Sequence, residues 1–123
     1  MAYGTLQTDV INSSTGLFST NNAYSGIAKA WVNFTGSSGA INQSFNVSSV
    51  TRNSTGNYTV NFTTAMSNAN YVVVSGINRN NSAADAGGMN YFSQATGSFG
   101  ISTNAPQGSL SDLTSASVAI LGA

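Results

Sequence analysis

The stretch that decides the fold is Asn57-Tyr58-Thr59-Val60-Asn61-Phe62. Polar and apolar residues alternate along it, and successive side chains of a β-strand point to opposite faces of a sheet. The pattern therefore predicts a strand with one buried face and one face in water. Residues 52–56 precede it and end in a glycine suited to a turn. The β-prone run before them, with Phe45, Val47 and Val50, predicts the first strand of a hairpin.

Similar patterns predict strands on both sides of this hairpin. The residues concerned are 27–34, 71–75, 89–93, 98–103 and 115–121. The segment 71–75 is apolar on both faces, which favours a central strand or an interface strand. Because Gly, Asn and Ser turns separate the segments, the sequence predicts an all-β fold, an antiparallel, jelly-roll-like β-sandwich over residues 27–123.

The first 26 residues differ from the rest of the chain in their pattern of apolar and polar residues. A strand pattern at residues 5–11 is followed by polar loop residues with a few embedded apolar ones. A lone strand is not stable by itself, so we expect residues 1–26 to form an extended N-terminal arm for attachment and oligomerisation. The apolar residues expected to make these contacts are Leu6, Val10, Ile11, Leu17 and Phe18.

The chain is nearly free of charge. Charged residues make up 5% of it, whereas soluble domains average about 25%. The three cations, Lys29, Arg52 and Arg79, are too few to bind nucleic acid through its phosphates or to anchor the chain on an anionic membrane. No apolar run approaches the roughly 20 residues of a membrane helix. We therefore expect neither a nucleic-acid partner nor membrane insertion.

Catalysis is not expected either. Histidine and cysteine are absent, which removes imidazole bases, thiol nucleophiles and thiolate metal sites. Asp9, Asp85 and Asp112 are far apart in sequence and lie among turn-forming residues. The sequence thus predicts a protein that is not an enzyme, with no cofactor and no metal ligands. It leaves open a three-fold axis that gathers three copies of one aspartate or asparagine around an ion.

The low charge also bears on assembly. Soluble β-proteins usually protect open sheet edges with Lys, Pro or inward-pointing charges, and this chain has one Lys and one Pro, Pro106. Few charges also mean little repulsion between copies. We expect contacts between identical subunits to close the edges. The alternative is a closed barrel that has no edges.

Three blocks of sequence carry a resemblance to a known family. They are Ala30-Trp31-Val32-Asn33-Phe34, Ser44-Phe45-Asn46-Val47-Ser48-Ser49-Val50-Thr51 and Tyr58-Thr59-Val60-Asn61-Phe62-Thr63-Thr64-Ala65-Met66. Together with residues 1–12, this region up to residue 76 resembles the C-terminal domain of tail-fibre and related virion proteins of bacteriophages, notably cyanophages and other marine phages. The resemblance implies a homotrimeric, β-rich, non-enzymatic fibre or knob located on the virion.

Three functions are compatible with this reading. The first is a trimeric tail-fibre or head-fibre subunit that contacts other virion proteins and a host surface glycan. The second is a capsid decoration protein anchored to the capsid by its arm, and the third is a carbohydrate-binding module. Surface aromatics beside amide side chains suit sugar binding. The residues expected to form such a surface are Tyr91, Phe92, Phe99, Asn80 and Asn81.

Overall fold

The structure, a computed structural model, describes residues 4, 10–13, 16–19, 26–79 and 87–122. Ten β-strands lie in these ranges. They are β1 (Val10–Ser13), β2 (Gly16–Ser19), β3 (Ala28–Thr35), β4 (Ile41–Phe45), β5 (Val47–Ser54), β6 (Asn57–Phe62), β7 (Val72–Asn78), β8 (Gly88–Phe92), β9 (Ser98–Asn104) and β10 (Ser115–Leu121).

Eight of these strands form two four-stranded antiparallel sheets. The strand order is β4-β3-β10-β7 in the first sheet and β5-β6-β9-β8 in the second sheet. The two sheets pack face to face, which confirms the predicted antiparallel β-sandwich. The strands β1 and β2 pair with each other in a separate two-stranded sheet.

The core lies between the two sheets and follows the predicted alternation. In β6 every second residue is buried, namely Tyr58, Val60 and Phe62. The same alternation in β3 and β10 buries the inward side chains of the first sheet. Two aromatic contacts add directional packing, because Phe34 meets Tyr58 edge-on at 5.1 Å and Phe62 stacks on Phe99 at 5.6 Å between ring centroids.

The β5–β6 hairpin has a tighter turn than predicted. β5 continues to Ser54, so Thr55 and Gly56 alone connect the two strands. Gly56 has a φ of 64°, as expected for the glycine of a turn. A Cβ at this position would lie 2.5 Å from the carbonyl oxygen of Thr103 and 2.7 Å from the amide nitrogen of Ser111. Gly56 is therefore required by its backbone angle and by the chain that crosses over it.

The predicted strand through Phe45, Val47 and Val50 is wrong as a single element. Asn46 interrupts it with a φ of 54°, so β4 joins the first sheet and β5 joins the second. The Asn46 side chain holds this corner in place. Its Nδ2 donates to the carbonyl oxygens of Lys29 and Thr64, both at 3.1 Å, and its Oδ1 accepts from the Thr64 amide at 2.7 Å.

Another expectation changes at β7. A strand with two apolar faces is typical of a central or an interface position, but β7 lies at the edge of the first sheet. The central position is therefore wrong, and the apolar outer side of β7 needs a different explanation. The predicted strand at residues 5–9 lies outside the described residues, although β1 covers residues 10–13.

We expect the Asn46→Ala substitution to destabilise the sandwich by about 2–4 kcal/mol. It removes three hydrogen bonds worth about 1 kcal/mol each and leaves an alanine at a positive φ, which costs roughly 1 kcal/mol more. Urea unfolding followed by circular dichroism measures this loss. Asn46→Gly is the matched control, because glycine relieves the backbone strain but not the lost hydrogen bonds. A stability equal to wild type in both variants would contradict the role of the corner.

Candidate interaction surface

The outer side of the first sheet carries a row of apolar side chains. The register pairs Phe45 with Trp31, Trp31 with Ala119, and Ala119 with Val74. These four residues therefore lie side by side across all four strands, with their side chains directed away from the core. Among the residues that the structure describes, no further layer covers this row, which is unusual because one face of an antiparallel sheet is normally polar when it meets water.

The row extends toward one end of the sheet. Leu121 pairs with Val72 beside it, and Val72, Val74 and Phe45 are 58%, 51% and 54% exposed. We define the apolar face as the residues Trp31, Phe45, Val72, Val74, Ala119 and Leu121. Large exposed apolar surfaces of this kind commonly mark sites of protein association.

A shallow groove crosses the apolar face. Its volume is about 350 Å³, and Trp31 and Val74 form its two sides. The central strand β10 contributes only the small residues Ser117 and Ala119 to the outer surface here, and Gly76 has no side chain. Since neighbouring strands are about 4.8 Å apart, the two sides are separated by roughly 10 Å. A side chain of a partner has room to enter between them.

The second sheet has a different outer side. The outward residues of β6 are Asn57, Thr59 and Asn61, and they form hydrogen bonds with the polar side chains of β5. Asn61 Nδ2 donates to Ser49 Oγ at 3.0 Å, and Asn53 Nδ2 donates to Thr59 Oγ1 at 2.9 Å. This amide and hydroxyl surface is compatible with water, so the apolar face is a property of one sheet and not of the whole surface.

Charge is sparse on the first sheet. Lys29 is the one charged residue among its four strands. A contact on the apolar face therefore depends on burial of apolar area and on shape, and salt has few charges to screen there.

A polar cluster lies at one end of the sandwich and centres on Asp112. Arg52 Nη2 donates to Asp112 Oδ2 at 2.7 Å, and the Gly56 amide donates to Oδ1 at 2.9 Å. The hydroxyl of Tyr58 lies 2.8 Å from Asp112 Oδ1 and 2.9 Å from the carbonyl oxygen of Gly36. The cluster thus ties the segment before β10 to the β5–β6 hairpin and to the loop after β3.

The contacts of this cluster shift the acidities of its members. The hydrogen bond from Arg52 lowers the pKa of Asp112 to about 2, with further help from the Gly56 amide and the Tyr58 hydroxyl. The same hydrogen bond raises the pKa of Arg52. Burial raises the pKa of Tyr58 to about 12, and its contact with Asp112 adds to the effect. Asp112 is therefore held ionised and Tyr58 neutral near pH 7, which suits an anchor of the fold.

The structure separates the aromatic residues predicted to form a sugar-binding surface. The expectation that Phe99 lies at the surface is wrong, because it is 1% exposed and stacks on Phe62 in the core. Tyr91 and Phe92 are exposed, at 50% and 42%, but they are consecutive in β8 and so point to opposite faces. The Phe92 ring also covers Gly100 of β9. These three residues do not form one stacking platform.

The other predicted residues belong to the N-terminal segment or follow β7 in the sequence. Asn80, Asn81 and Leu6 lie outside the described residues. The remaining arm residues lie in β1 and β2, where the backbone register sets Ile11 opposite Phe18.

The apolar face contains residues that sequence reasoning did not single out as a site. Val72 and Val74 were visible as part of a run that is apolar on both faces, and the interface alternative for that run matches their exposure. Trp31 lies on the outer face. The sequence does not indicate that β7 pairs with β10. This pairing places Val74 in one row with Trp31.

Comparisons with known proteins identify no related protein. No family model matches the chain, and neither a curated protein nor a solved structure matches it significantly. Over the described ranges, no three acidic residues come together as a group able to hold a metal ion. No helix in those ranges is long and apolar enough to span a membrane.

We expect acid to weaken the fold through Asp112. The pKa of this carboxyl falls from 3.8 to about 2 on folding, so its stabilising contribution is complete above about pH 4 and is lost as the pH falls toward 2. Asp112→Asn should lower the free energy of unfolding at pH 7 by about 1–3 kcal/mol and flatten the dependence between pH 4 and 2.

Urea unfolding at a series of pH values measures both effects. Asp85→Asn is the matched control, since it makes the same chemical change elsewhere in the chain. An unchanged slope between pH 4 and 2 in Asp112→Asn would contradict the assignment.

Proposed function

We propose that this chain is a non-enzymatic structural subunit of a bacteriophage particle, a homotrimeric tail-fibre or head-fibre component that contacts other virion proteins. The resemblance of residues 1–12 and 27–76 to tail-fibre and related virion proteins supports the location on a virion. The trimer and the contact with a host surface glycan belong to the same proposal.

The single observation that carries the proposal is the apolar face. Val72, Val74 and Phe45 are each more than half exposed in the single chain, on a sheet with one charged residue. Burying a side chain of this type contributes about 1.5–3 kcal/mol. Association of copies removes this surface from water, and the small number of charges offers little repulsion against it. A chain of this kind is suited to a permanent assembly.

The second candidate function is a capsid decoration protein. The separate β1–β2 sheet favours it, because an element that does not pair with the sandwich is available to hold the chain on another surface. The two candidates share the virion and differ in the site of attachment. A decoration protein binds empty capsids, whereas a fibre subunit is found on the tail or on a head fibre.

We expect the wild-type chain to run as a trimer and the Val74→Asp variant to dissociate. Val74 is exposed in the single chain, so the aspartate leaves the core intact, but it places a charge in the proposed contact. Loss of apolar burial and desolvation of the charge should weaken each contact by about 2–4 kcal/mol, which is roughly 30- to 1,000-fold.

Light scattering coupled to size-exclusion chromatography measures the mass. Thr51→Asp is the matched control, because it places the same charge on the polar outer side of the second sheet. The control should remain trimeric. A monomeric wild-type chain would contradict the proposal.

The virion itself is tested by electron microscopy. Gold-labelled antibodies against the chain should decorate phage particles at the tail or on head fibres under the fibre hypothesis, and across the shell under the decoration hypothesis. Particles that carry no label, from cells in which the chain is expressed, would exclude both.

A further inference from the structure

The β1–β2 hairpin forms a sheet of its own, and three residues of the apolar face are more than half exposed. The four residues of β1 hydrogen-bond to the four of β2, and neither strand joins the two large sheets. A two-stranded hairpin is at best marginally stable in water without a surface to cover. The apolar face is a surface of suitable shape, since a flat sheet side can take up a third layer.

We propose that the β1–β2 hairpin of one subunit packs on the apolar face of a second copy of this chain. This inference rests on the proposed function, because it assigns the contact that holds the oligomer together. The hairpin contains Val10, Ile11, Leu17 and Phe18 within its eight strand residues, so half of them are apolar. The groove beside Trp31 offers a place for one such side chain.

Eight residues connect the hairpin to the sandwich. β2 ends at Ser19 and β3 begins at Ala28, so residues 20–27 link them. Eight residues span at most about 28 Å when extended. The link ends at Ile27, which directly precedes β3 and is 57% exposed.

The N-terminal segment and the first sheet carry charges of opposite sign. Asp9 is the one charged residue among residues 1–26 and directly precedes β1. Lys29 is the one charged residue in the strands of the first sheet. Opposite signs favour this pairing over contact between two copies of the same surface, which would bring like charges together.

Symmetry explains why this contact agrees with a trimer. Contact between two apolar faces would be isologous and would produce a dimer. A hairpin of one copy on the face of the next is a heterologous contact, which closes into a ring when the rotation between neighbours allows it. Three such contacts close a homotrimer, with every face covered and every hairpin packed.

A mixing experiment with two variants tests the inference. Ile11→Asp damages the hairpin and leaves the face intact, whereas Val74→Asp damages the face and leaves the hairpin intact. Asn12→Asp and Thr51→Asp are the matched controls. One partner of each mixture is labelled with ¹⁵N, and native mass spectrometry reports the composition of the assemblies.

We expect both controls to remain trimeric and each interface variant alone to lose trimer by at least roughly 30-fold in affinity. The equimolar mixture of Ile11→Asp and Val74→Asp should then form dimers with one chain of each kind. The intact hairpin of Val74→Asp binds the intact face of Ile11→Asp. The altered hairpin of Ile11→Asp does not bind the altered face of Val74→Asp, so the ring cannot close. Because only folded chains can restore this contact, the mixed dimer also shows that both variants are folded.

Two results would overturn the inference and leave the proposed function standing. One is an Ile11→Asp variant that keeps the wild-type mass, because the face would then contact some other surface. The other is a mixture that stays monomeric although each variant alone is monomeric, because the hairpin and the face would not meet between chains. A wild-type monomer would instead contradict the proposed function itself.

Discussion

Burial of alternating apolar side chains between two sheets is the interaction on which the rest of this structure depends. In β3, β6 and β10 every second residue enters the core, and the others are directed outward. The alternation fixes the register of each strand, because a slip of one residue would exchange the two sets. It also means that the outward residues are free to serve a purpose other than folding. The outward residues of β6 are amides and hydroxyls, whereas Trp31 of β3 and Ala119 of β10 belong to an apolar row.

The difference between the outer sides of the two sheets matters because the chain has few charges. With charged residues at 5% of the chain, solubility depends on the amide and hydroxyl side chains, which make up the outward face of β6. The apolar face has no such protection, and Lys29 is its single charged neighbour within the first sheet. Two other charged residues, Arg52 and Asp112, interact within the fold. Asp112 accepts hydrogen bonds from Arg52 and from the Gly56 amide. The Arg52–Asp112 ion pair thus anchors the fold internally, and the first sheet carries Lys29 as the one charge in its strands.

Two residues with left-handed backbone angles change the direction of the chain, one between the sheets and one within the second sheet. Asn46 turns the chain from the first sheet into the second, and Gly56 reverses it within the second. Each position donates hydrogen bonds to distant segments: Asn46 Nδ2 donates to the carbonyl oxygens of Lys29 and Thr64, and the Gly56 amide donates to Asp112. Local sequence indicates the turn at Gly56, since glycine follows a run of turn formers. It gives no comparable signal at Asn46, which stands between two β-prone residues.

The amino-acid sequence by itself determined the all-β class, the alternating strands and the buried side of β6, because strand periodicity is a local property of neighbouring residues. It also indicated that residues 71–75 have two apolar sides. Only the tertiary structure decided that β7 is an edge strand, that Phe99 is buried against Phe62, and that Phe45, Trp31, Ala119 and Val74 form one row. The physical reason is that these facts depend on pairing between strands such as β3 and β10, which are separated by about 80 residues of chain, and no local pattern encodes which strands meet.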